Sequence, residues 1–127
     1  MKPPIFVYEN GDLTIFASVE DAETGLEPID VENDIYTAYD SEGRLLQLIP
    51  TSPRITMKDG EKEPTHAEEL RVILFEFLLY VGLSGDWLKG ASLQELVAKA
   101  SEYKLDPARP SVEGLSARLK RWFDKSN

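Results

Sequence analysis

The sequence predicts an α+β fold: an N-terminal antiparallel sheet of about five strands with a short inserted helix, followed by about three C-terminal helices packed on one face of it. Two observations carry this. Up to residue 60 the apolar residues form short β-rich runs separated by turn dipeptides, whereas from residue 65 they recur at three and four residues. The strand segments all precede the long helical ones. A length of 127 residues suits a single domain, 1–127, with a β-rich acidic half (1–60) and a helical half (65–127). Such a chain can bury roughly two thirds of the surface its unfolded form exposes.

The first element is a hairpin. IFVYE and DLTIF flank Asn10-Gly11, a dipeptide that accepts the positive φ angles of a tight two-residue turn. Ser18 stands three residues before Asp21, where its hydroxyl can cap a short helix ending near Gly25. Segment 30–34 is expected to be extended, and IYTAY (35–39) to be a strand joined through DSEG to RLLQLI (44–49). RITMK (54–58) completes the sheet, and 56–65, rich in charge with Gly60 and Pro64, is expected to be an exposed loop.

In the second half, Thr65 and Glu68 fit a capping box that opens a helix over about 66–81. Its apolar residues lie on nearly all sides, which predicts burial on most faces. Glu76 is the only charge in the apolar stretch 72–83; it is expected at a solvated edge or paired with Lys99, Arg118 or Arg121, since isolated buried charge is costly. Ser92 and Glu95 form a second capping box, for a helix to about Tyr103 with one apolar stripe (Leu93, Leu96, Val97, Ala100). After two prolines, Ser111 can cap a last helix whose Leu115, Leu119, Trp122 and Phe123 line one face and whose Arg118, Lys120 and Arg121 mostly line the other.

Composition excludes several chemistries. Without cysteine there are no disulfides, thiolate metal sites or cysteine nucleophiles, which suits a reducing cytoplasm. The apolar run before Glu9 is shorter than a signal-peptide core, and the stretch 72–83 is too short to span a bilayer, so the expected location is cytoplasmic, with no membrane partner. Asp30, Glu32 and Asp34 resemble the start of a calcium loop, but the required glycine and the bidentate glutamate would fall at Ile35 and Ser41. A lone histidine, His66, in a first helical turn lacks the partners that zinc or acid–base chemistry needs, and no glycine-rich phosphate loop is present. The expectation is a non-catalytic protein without a cofactor.

The net charge of −9 is unevenly placed. Residues 1–50 hold eleven carboxylates against Lys2 and Arg44, whereas residues 51–127 are balanced. A field of this sign repels nucleic acid and speeds encounter with basic surfaces. Within this half, Asp30, Glu32 and Asp34 would project to one side of an extended segment, with Tyr36 exposed beside them, Tyr39 in the core and Asp40 and Glu42 on a hairpin turn. Carboxylates interleaved with tyrosine suit a cationic protein partner. The alternative is a nucleic-acid-associated regulator that uses Arg118, Lys120 and Arg121, although the connection to the last helix is longer than in a helix-turn-helix and the chain's charge opposes phosphate.

The small cysteine-free chain, its acidic hairpin-rich front (FVYENGDLTIF, SVEDAETGLEPIDVEN, YDSEGRLL) and its helical back resemble bacterial immunity proteins, the cytosolic antitoxins of polymorphic and contact-dependent-inhibition toxins. The resemblance implies a protein–protein interaction in which carboxylates stand in for phosphates and block a basic, nuclease-type toxin. It carries over no individual residue.

Overall fold

Alternation along the first strands sets the architecture. In β1 (Ile5–Glu9), Phe6 and Tyr8 face one side of the sheet while Ile5 and Val7 face the other. β2 (Asp12–Phe16) pairs antiparallel with β1 through a turn in which Asn10 and Gly11 both have positive φ, 45° and 89°. The expected hairpin is therefore present with its expected turn chemistry. The remaining strands are β3 (Thr37–Tyr39), β4 (Leu45–Thr51) and β5 (Arg54–Asp59), and the antiparallel sheet runs β2-β1-β3-β4-β5. This computed structural model describes residues 1–103. The expected last helix, with Arg118, Lys120 and Arg121, lies outside the described residues.

Helices cover both faces of the sheet, where the sequence suggests one. α1 (Val19–Gly25) and α2 (Pro28–Glu32) pack on the face formed by Ile5, Val7, Ala38, Leu46, Ile55 and Met57. Ser18 caps α1 by accepting a hydrogen bond from the Asp21 amide at 3.1 Å, as its position predicts. On the opposite face, α3 (Ala67–Tyr80), α4 (Asp86–Gly90) and α5 (Leu93–Ala100) surround Phe6, Leu13, Ile15 and Tyr39. A single 3-10 turn comes next at Ser101–Tyr103, and the Tyr103 ring meets Phe77 edge to face at 5.7 Å. The Ser92–Glu95 capping box is formed in both directions.

Two expectations about α3 fail. Leu70, Leu74, Phe77 and Leu78 are buried, but Val72, Leu79 and Tyr80 are more than two fifths exposed, so one stripe enters the core rather than most of the circumference. The reason is the layer geometry: a helix lying on a sheet buries the side that meets it. The Thr65 capping box is also absent. Thr65 lies one residue before the N-cap position, which His66 occupies, its hydroxyl donates to Glu61, and Glu68 pairs with Arg71.

Gly43 joins the two halves of the chain. It has φ 85°, and a Cβ built on it would lie 2.2 Å from the Ala67 Cα. Its carbonyl accepts a hydrogen bond from the His66 amide at 3.0 Å. Only glycine permits both the left-handed backbone and this contact, so the β3–β4 turn is clamped to the start of α3.

Candidate functional site

The acidic segment 27–42 is built differently from the expected ridge. Pro28 opens α2 at a position where its missing amide costs nothing, and residues 28–32 are helical. Asp30, Glu32 and Asp34 consequently do not share a side as an extended strand would require. Val31 packs against the core beneath, and Ile29, about half a turn away, points outward and is 60% exposed. Glu27, Glu32 and Asp34 are exposed around it. The solvent side of α2 is thus an isoleucine set among carboxylates. The sequence reading overlooks Ile29; the one signal is Pro28 as a helix start, because in a helix Ile29 and Val31, two residues apart, fall on opposite sides.

The end of α2 is a Schellman motif. The Ile35 amide donates to the Asp30 carbonyl at 3.2 Å and the Asp34 amide to the Val31 carbonyl at 3.0 Å, with Asp34 at φ 56°. Glycine is the usual residue there. Aspartate adopts the left-handed region at a cost, and a carboxylate at a helix C-terminus meets the unfavourable end of the dipole. No basic residue in the last turn of α2 offsets it.

The other expected site residues separate into distinct roles. The Tyr36 hydroxyl donates to Asp30 Oδ2 at 3.1 Å, so these two residues hold each other. Tyr36 is half-buried rather than exposed, because its ring packs against the α2 side of the core. Burial, followed by the Asp30 carboxylate, pushes its phenol above the ordinary value. Tyr39 is a core residue as expected, and its hydroxyl donates to Glu69 at 2.5 Å.

The sequence places Asp40 on the surface of the hairpin turn, but the side chain is completely buried. Its Oδ1 accepts from the amides of Glu42 (3.0 Å) and Arg44 (2.9 Å). Its Oδ2 accepts from the Lys2 amide (3.1 Å) and from Arg44 Nη1 (2.8 Å). A carboxylate with four such donors is a structural pin that ties the N-terminus to the turn, which removes it from any partner surface. An aspartate opening a turn and bonding the amide two residues on is the sequence signal for this role. Glu42 remains partly exposed and pairs with Lys2 and Arg44.

A second polar cluster lies in the segment 56–65, where the sequence suggests a free loop. Residues 54–59 are strand, and Glu61 anchors the connection from β5 to α3. Its carboxylate accepts from the amides of Leu45 (2.8 Å) and Thr65 (3.1 Å), from the Thr65 hydroxyl and from His66 Nδ1. Partial burial works to raise the Glu61 carboxyl, but the bonds from Thr65, Leu45 and His66 outweigh it and hold the group down at about 2, from an ordinary value of 4.5. Its stabilising contribution is therefore complete above about pH 5 and lost as pH falls toward 2. Glu61→Gln is expected to lower stability at neutral pH and to flatten the pH dependence between about 5 and 2, read as urea midpoints across that range. Equal slopes for both proteins would contradict the anchor role.

Thr65 Oγ and Glu61 meet the same nitrogen of His66, so the imidazole does not bridge hydroxyl and carboxylate as a catalytic relay requires. Among the described residues, no three His, Cys, Asp or Glu side chains converge to hold a metal ion, and no helix is long and apolar enough to cross a membrane. Glu76 occupies the solvated edge of α3, and among the described residues it has no hydrogen-bond or ion-pair partner. Comparison with protein-family models, with curated proteins and with solved structures returns no match.

Proposed function

We propose that this chain is a non-catalytic inhibitor of immunity type, which acts in the cytoplasm by binding a basic, nuclease-type toxin through the acidic surface of α2. The observation that carries this reading is Asp34. A carboxylate in the left-handed position, at the negative end of a helix and without a cation in the last turn, works against local stability on two counts. A residue that costs stability where glycine would not is consistent with a role outside the fold, and this supports the reading. The exposed Glu27, Glu32 and Ile29 beside it supply further charge and an apolar contact of the kind a protein interface combines. The excess of carboxylates in residues 1–50 gives the long-range field that would steer a cationic partner.

The test is capture of a partner by the full chain, followed by kinetics and inhibition. The expected partner is basic and has nuclease activity that disappears on stoichiometric addition of this protein. Its association rate is expected to fall steeply between low and physiological salt. A neutral partner with salt-insensitive association, or a nuclease that stays active in the complex, would overturn the reading.

A further inference from the structure

Glu76 lies in a cleft that the acidic α2 surface does not include. Ile73, Glu76, Phe77 and Tyr80 recur at three and four residues and form one stripe of α3. Opposite them stand Tyr8 and Leu13, with Gly11 at the tip of the β1–β2 hairpin. The space between is about 170 Å³. Small-molecule sites usually run from about 300 to 1,000 Å³, so this cleft has the scale of one inserted side chain.

Its chemistry selects the charge of that side chain. Two tyrosines, Tyr8 and Tyr80, line it with the edge of the buried Phe77, tyrosine rings attract cations, and Glu76 places one carboxylate beside them with no partner among the described residues. No described lysine or arginine lines the cleft. A second cleft along the same helix, of about 300 Å³, has Arg71 and Lys89 in its lining and so carries the opposite sign. A planar guanidinium stacks on aromatic rings and pairs with a carboxylate in one geometry, which an ammonium does not do as well.

We infer that the cleft between the β1–β2 hairpin and α3 receives an arginine side chain of the basic partner. The inference rests on the proposed function for the partner's existence, but the cleft can be tested on the free chain. The probe is N-acetyl-arginine methylamide, titrated into the full-length protein and followed by amide chemical shifts, with the uncharged citrulline analogue as control. The arginine probe is expected to shift Tyr8, Gly11, Glu76 and Tyr80 in a saturable way, and the citrulline analogue is not. Glu76→Gln is expected to weaken binding of the probe about fivefold. Because Glu76 is exposed, this variant should keep the fold, as unchanged amide shifts in the sheet would verify. Shifts confined to α2, equal response to the citrulline analogue, or equal affinity in Glu76→Gln would each overturn the inference. With a partner in hand, unchanged dissociation from Glu76→Gln would overturn the cleft while leaving the inhibitor reading standing. Probe binding at the cleft without any basic partner would do the reverse.

Discussion

Replacing Asp40 with alanine is expected to destabilise the fold by about 3–5 kcal/mol, the range found when one member of a buried ion pair is removed. The carboxylate is wholly buried and accepts three amides and the Arg44 guanidinium. Alanine would leave those donors without their acceptor and Arg44 without its nearest opposite charge. The turn that Asp40 organises also carries Gly43, which is locked against Ala67, so the damage would spread to the docking of α3. Asp40→Asn keeps the shape and one acceptor oxygen but loses the charge, and should fall between wild type and alanine. Urea unfolding at neutral pH measures the series. A loss below about 1 kcal/mol for alanine, the level of an ordinary exposed pair, would show that the turn is held by other contacts.

The second large effect concerns the solvent side of α2. Reversing Glu27, Glu32 and Asp34 together to lysine is expected to slow association with the basic partner by on the order of tenfold or more at low salt, with a smaller effect at high salt. All three are exposed, so folding should survive. Asp34→Gly separates stability from binding. It removes the left-handed strain and the unfavourable charge, and should raise stability by about 0.5–1 kcal/mol while weakening the partner complex. A variant that gains stability and loses nothing in binding would assign Asp34 to neither role and would remove the main support for this surface.

Asp40 and Asp34 also show where reading the chain is sufficient and where it fails. Both belong to an acidic stretch that looks uniform in sequence, yet one is a buried pin and the other a solvent-facing cap. Charge count and spacing are the same for both kinds of carboxylate, and the difference lies in which amides surround each one. Asp40 is claimed by Lys2, thirty-eight residues away in the chain. No local pattern contains that contact. The helical state of α2 escapes for a related reason: five residues are too few to show a helical period, and Pro28 is the only marker. Thr65 fails as a cap because the helix starts one residue later than the motif suggests, with His66 at the cap position, and Glu61, held by the Leu45 amide, binds the Thr65 amide and hydroxyl outside the helix.

Features whose energy is set within a few residues can be read directly. The Asn10-Gly11 turn, the Ser18 cap, the reciprocal Ser92–Glu95 box, the antiparallel hairpins and the concentration of negative charge in residues 1–50 all come from local backbone preference, side-chain reach or simple counting. Burial and pairing cannot. Whether a carboxylate meets water or a ring of amides, and whether an apolar helix is covered on one side or several, depends on neighbours brought from distant parts of the chain. Hydrogen bonding and burial act over a few ångströms in space, whatever the separation in sequence, so only the packed fold decides those assignments.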